Sequence, residues 1–325
     1  MTTTWFESLI ARRSAGGTNR NLDWRPYVIY IGFVLTFVIF AITLRDDGFL
    51  QTNNLLNIPR QASTVAVAAV AMTFIIGAAE IDLSVGSLVG FAGLSAAYGS
   101  QYGGLAGALA FGIGAGLLVG VINGFLVAWV KIPSFLVTLA MLWIIRGFGQ
   151  WRTESRAQLI ESSSFQSLFG SNTMRIVWLV VFAVIGATVL NKTRYGRFVL
   201  ATGGNREAAD FSGVPTRRIK FSVFIIGSVC AAFAGMMLAA NLSNFGKYEY
   251  GTGLELSVIA AVIIGGTSLF GGKASVAGTI FGALFVQLIE NGLLLTGLQK
   301  SQLDIIKGII IIVAVALRRE RGAQL

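Results

Sequence analysis

The chain has 325 residues, of which 54% are hydrophobic and only 12% charged, with a formal net charge of +10. Soluble domains carry about 25% charged residues, so this chain lacks the polar surface that water demands and its solvent is mostly lipid. It holds no histidine and a single cysteine, Cys230. That excludes histidine bases, histidine metal sites, Cys/His zinc sites and a disulfide within the chain.

Residues 1–26 form a basic N-terminal segment with Arg12, Arg13, Arg20 and Arg25. Its start reads in two ways. Thr4 and Glu7 fit a capping box, with Trp5, Leu9 and Arg12/Arg13 along a membrane interface, or the segment is a frayed tail. The first apolar run ends "FAITLRDD" without small residues for cleavage, so it is expected to stay as an anchor.

A bilayer crossing needs about 17–25 apolar residues. Ten such cores follow, at 27–44, 57–79, 85–102, 105–130, 132–149, 176–190, 221–242, 254–270, 276–296 and 303–317. Those at 85–102 and 132–149 also read as re-entrant or broken helices. Pro26, Pro59 and Pro133 stand at expected helix entrances, where a missing N–H costs little. Lys and Arg concentrate in 1–26, in the loop 191–220 and in the tail 318–325. With ten spans these fall on one side, assigned to the cytoplasm. The loop 150–175 then faces outward. The basic residues form no stripe with interleaved aromatics, so nucleic acid is not an expected partner.

The fold expected is therefore an all-α integral membrane protein of about ten transmembrane helices. A single transmembrane domain occupies 27–317, with 318–325 as a cytoplasmic tail. "AAV" recurs at 68–70 and 260–262, and "VGSLVG" (85–90) and "AGTIFG" (277–282) follow at the same offset. This echo suggests two related halves around a central cytoplasmic loop. Gly112, Gly116, Gly120 and Gly124 make a small helix face against which another helix packs closely.

"VIIGGTSLFGGKAS" (262–275) looks like a phosphate loop, but the spacing fails. G-x-x-x-x-G-K-[ST] ending at Gly272-Lys273 requires glycine at 267, where Thr267 stands, and Ala274 cannot ligate Mg²⁺. The stretch joins two apolar spans rather than a strand and a helix. It is read as a tight cytoplasmic turn.

Polar groups near the spans are candidates for a pathway or gate: Glu80, Asp82, Ser84, Glu255, Glu290 and Asn291. An acid in the hydrocarbon region is costly and usually functional. Asp82 followed by Ser84 is equally a helix cap. The loop 191–220 is polar and basic. Within it "GGNREAADFSG" reads as a short helix, capped by Asn205 and favoured by Glu207 in its first turn. It suits docking to a partner, or it is a plain connector.

"EAADFSG" (207–213) matches the EAA-x-x-x-G core of the coupling loop in ABC importer permeases. "RFVLATGGNREAADFSGVPTRRIKF", "EIDLSVGSLVG" and "GTGLELSVIAAVIIGGTSLFGG" resemble the ribose/xylose/arabinose-type sugar permeases, over most of 50–317. The resemblance implies a bacterial inner-membrane pore of two permease subunits, alike or different. It implies two cytoplasmic nucleotide-binding domains that hold ATP and Mg²⁺, and an extracytoplasmic sugar-binding protein. This chain would hold no cofactor and catalyse nothing itself. Gly204, Asn205, Glu207, Ala208, Ala209 and Gly213 would couple to the ATPase, with Ala208 and Ala209 small because a groove wall lies close. An ion-coupled secondary transporter of a small polar solute is the alternative. One departure stands out. Many members of that family carry Gly-Gly before "IDLSVG", where this chain has Ala79-Glu80.

Overall fold

The computed structural model describes residues 28–154, 156–242, 244–245 and 251–317. The expected interfacial helix near the N-terminus and the tail from 318 lie outside the described residues. The helices are α1 (Val28–Thr43), α2 (Thr52–Gly77), α3 (Val85–Ala128), α4 (Ser134–Thr153), α5 (Asn172–Lys192), α6 (Arg194–Gly204) and α7 (Arg206–Phe211). They continue with α8 (Thr216–Leu242), α9 (Leu254–Ile264), α10 (Val276–Leu295) and α11 (Lys300–Leu317). Among the described residues, six of these (α2, α3, α4, α5, α8 and α10) are long and apolar enough to cross a membrane.

The long α3 is two helices. Gly103 and Gly104 leave helical geometry, Gly104 at φ 55° and ψ −132°, a backbone that glycine adopts without a Cβ clash. The chain folds back there. A Cβ on Gly99 would lie 2.4 Å from the Gly107 carbonyl oxygen, so the two limbs touch backbone to backbone. The expected glycine face is used by α8. A Cβ on Gly112 would meet Met236, one on Gly116 Ala232, one on Gly120 Ile225 and one on Gly124 Phe221. Four glycines one turn apart thus seat a whole helix.

The core sits around α2 and α8. Every residue of α2 from Ala66 to Gly77 is buried. By contrast Leu136, Trp143 and Ile144 of α4 and Val180, Val184 and Ile185 of α5 are exposed. Apolar side chains on the outside suit a hydrocarbon solvent. Two expectations need correction. α2 starts at Thr52, so Pro59 lies within the helix rather than at its entrance. The expected span 254–270 is an 11-residue helix, α9. At 1.5 Å per residue it covers about half of a ~30 Å hydrocarbon core. Its end is set by the Gly265-Gly266 pair, with Gly266 at φ 103°.

Contacts sort the loops onto two faces. The turn 78–84, the segment 193–215 and the loop 265–275 touch one another. The opposite face carries the 156–171 segment, whose two-residue strand Gln158–Leu159 pairs antiparallel with Asn244–Phe245.

Candidate functional site

The first face is built around α6 and α7. Asn205 Oδ1 accepts the Ala208 N–H at 3.0 Å, satisfying a first-turn donor of α7. The helix ends at Phe211. Gly213 takes φ 79°, and the Val214 N–H returns to the Ala209 carbonyl at 3.0 Å, a glycine-dependent stop. Thr216 Oγ1 donates to Asp210 Oδ1 at 2.6 Å and ties α7 to the start of α8. Gly204, Asn205, Glu207, Ala208 and Gly213 are exposed. Ala209 is not. At 5% exposure it packs into its own chain, so it cannot face a partner's groove. The outward apolar residue is Phe211, 93% exposed, which sequence reasoning passed over. Phe270, in the glycine loop, is 84% exposed on the same face.

The glycine loop is a clasp. A Cβ on Gly203 would stand 2.1 Å from the Gly77 carbonyl oxygen. One on Gly271 would be 2.7 Å from the Gly203 carbonyl oxygen, and one on Gly272 2.8 Å from Gly204 Cα. The Gly272 N–H donates to the Gly77 carbonyl at 3.1 Å. Three backbones therefore meet with only the Ala79 methyl beside them: the end of α2, the end of α6 and the loop after α9. No phosphate is needed to account for these glycines.

The turn between α2 and α3 lies beside the clasp. Ala79 takes φ 60°, a left-handed backbone that costs an alanine about 1–2 kcal/mol and a glycine nothing. Glu80 is 7% exposed and paired with Lys220 of α8. The Ala-Glu departure is thus matched by a lysine at the start of α8. Asp82 is 2% exposed, and its Oδ1 accepts the Ser84 N–H at 2.8 Å and the Ser84 hydroxyl at 2.6 Å. Asn123 Nδ2 donates to Ser84 Oγ at 3.0 Å. Burial pushes the Asp82 carboxyl above the usual carboxylate range, against the bonds from Ser84. The turn is further pinned to α4, the Leu83 N–H donating to Thr138 Oγ1 at 3.0 Å. Asp82 orders the turn before α3 rather than capping the N–H groups of its first turn.

The remaining acids are spent on ion pairs between helices. Glu255, in the first turn of α9, accepts from Arg146 of α4 at 3.1 Å, both side chains nearly buried. A Cβ on Gly86 would lie 2.1 Å from Glu255 Oε2, so the starts of α3 and α9 converge inside the molecule. Glu290 pairs with Lys307 at 2.9 Å. Asn291 exchanges amide bonds with Asn54 at 3.0 and 2.9 Å. Glu290 and Asn291 therefore pin α10 to α11 and α2.

A cavity of about 490 Å³ opens between α2, α5, α8 and the start of α9. It lies on the N-terminal side of α2, away from the clasp. Its lining includes Asn57, Arg60, Gln61, Thr64, Arg175 and Asn241. None of these was singled out from the sequence as a pathway residue.

A protein family described as "Branched-chain amino acid transport system / permease component" matches residues 54–315. The chain is 36% identical over 288 residues to the probable ABC transporter permease protein YphD of Escherichia coli (strain K12), covering 87% of this chain and 86% of that one. It is 36% identical over 324 residues to the L-arabinose ABC transporter permease protein AraH of Azospirillum brasilense, covering 98% and 94%. It is 35% identical over 303 residues to the ribose import permease protein RbsC of Haemophilus influenzae, covering 90% and 93%. No solved structure matches it.

Proposed function

The chain belongs to the family of permease components of the branched-chain amino acid transport system, and from that premise we propose that it is the transmembrane subunit of an ATP-driven sugar importer. Its relatives named for arabinose and ribose import support a monosaccharide or related polyol as cargo. The observation that carries the reading is α7. A capped six-residue helix with one fully presented phenylalanine is more than a connector needs. Large exposed aromatics are what interfaces bury.

In this reading the chain makes about ten passes: α1, α2, both limbs of α3, α4, α5, α8, α9, α10 and α11. The half-length α9 completes one of them. Two related halves correspond to the echo between α2 with the first limb of α3 and α9 with α10. The face of α6 and α7 is cytoplasmic, as are both termini, in a bacterial inner membrane. A second permease subunit completes the pore. Two nucleotide-binding domains hold ATP and Mg²⁺ and close on each other, and an extracytoplasmic binding protein delivers the sugar. The chain itself catalyses nothing. Movement imposed on α7 passes through Asp210 and Thr216 to α8, and through the glycine clasp to α2 and α9.

Topology tests this directly. Single cysteines at Arg197 and Ser163 in a Cys230→Ala background should be labelled from opposite sides, Arg197 from the cytoplasm. Labelling of both from the same side, or of Ser163 only from the cytoplasm, contradicts the reading.

A further inference from the structure

Half-buried Arg60 and buried Arg175 stand out because they lack what the other shielded cations have. Arg60 Nη1 donates to Asn57 Oδ1 at 3.2 Å, and Arg175 Nη1 to Asn241 Oδ1 at 3.1 Å. The Nε of each is buried without a partner. Arg175 is 7% exposed. Among the described residues neither arginine makes an ion pair, whereas Arg146, Lys220 and Lys307 each face a carboxylate. Among the described residues the cavity lining contains no Asp or Glu. Thr64, 4% exposed, adds a third polar atom without a partner on the same wall.

An unpaired charge inside a membrane domain is costly. Arg175 adds to that cost by lying in the first turn of α5, where the helix dipole already repels a cation. Two guanidinium groups on one cavity repel each other as well. A single anion placed between them offsets all three penalties. The planar fork of arginine matches the two oxygens of a carboxylate. The other lining groups, Asn57, Gln61, Thr64 and Asn241, are neutral donors and acceptors suited to hydroxyls. The volume falls within the ~300–1,000 Å³ of small-molecule sites.

We propose that the solute carried by this chain is a sugar carboxylate, an aldonate or uronate, whose carboxylate is held between Arg60 and Arg175 in this cavity. The inference rests on the sugar-importer reading and narrows its cargo from neutral sugars to sugar acids. The other candidate occupant is an acidic side chain of the docked binding protein.

The test is uptake by cells carrying the intact transporter. The probes are radiolabelled gluconate, glucuronate and galacturonate, set against glucose, galactose, ribose and arabinose. At least one acid should accumulate and should be competed by unlabelled acids but not by neutral sugars. Arg60→Gln and Arg175→Gln should each lower that uptake on the order of 10- to 100-fold, the usual worth of a charge-assisted hydrogen bond. Arg175→Lys should retain part of it. Uptake of a neutral sugar alone, unchanged in both variants, overturns the inference and leaves the importer reading standing. A higher binding-protein concentration for half-maximal uptake, with solute preference unchanged, overturns it in favour of docking. No ATP-dependent uptake of any probe fails both. Should a variant not reach the membrane, saturation-transfer NMR on the wild-type chain in lipid nanodiscs decides. Transfer to gluconate but not to glucose supports the proposal, and equal transfer to both contradicts it.

Discussion

Glu80→Gln should lower the stability of the chain by about 3–5 kcal/mol, the loss expected when one partner of a buried ion pair is removed. The Glu80 and Lys220 side chains are 8% and 13% exposed, so neither regains full hydration when the other is neutralised. Lys220→Met should cost a similar amount by stranding the carboxylate. The double variant Glu80→Gln/Lys220→Met should recover most of the loss, because a well-packed neutral pair often matches a buried ionic one. Thermal unfolding of the purified chain in detergent reads all three. If both single variants unfold with the wild type, the pair is solvated and does not hold the turn to α8.

Phe211→Ala should leave folding untouched and abolish communication with the ATPase. The ring is 93% exposed, so its removal takes nothing from the core of this chain. Buried in a partner's pocket it would act as an interface anchor, worth about 2 kcal/mol or more. The variant should therefore insert and unfold like the wild type, yet lose at least about 90% of substrate-stimulated ATPase activity in the assembled complex. Glu207→Gln is expected to be mild, since an exposed ion pair contributes about 0–1 kcal/mol. Ala209→Trp is a poorer probe than the sequence suggests. That alanine is packed inside its own chain, and a large side chain there overpacks α7 itself. Full ATPase stimulation by Phe211→Ala would remove α7 from the docking surface.

Much of this was legible from local chemistry. Apolar runs, glycine spacing and Asn205 each act through neighbours close in sequence. The glycine face of α3 could be read before its partner, α8, was known. What stayed hidden depended on rotation and depth. Ala208 and Ala209 differ by about 100° around a helix. Only the packing of α7 against the start of α8 decides which faces inward. Arg175 closes the outer loop 150–175 and Arg60 lies within the apolar run 57–79, with no local pattern to mark either. Their meeting requires α5 to lie against α2, which no local pattern encodes. The half-length of α9 had a visible signal in Gly265-Gly266, obscured by the apolar residues that precede it. Glu80 was visible as a departure from Gly-Gly, but its lysine lies 140 positions further on.

Uptake into liposomes tests the central claim most directly. The chain is reconstituted with the nucleotide-binding subunits and binding protein proposed for it. Accumulation of a radiolabelled sugar or sugar acid is followed with ATP enclosed on the cytoplasmic side. Uptake should require ATP hydrolysis, stop with a non-hydrolysable analogue, and continue when ionophores collapse the proton and sodium gradients. Accumulation by this chain alone, driven by an ion gradient and indifferent to ATP, would contradict it and establish a secondary transporter.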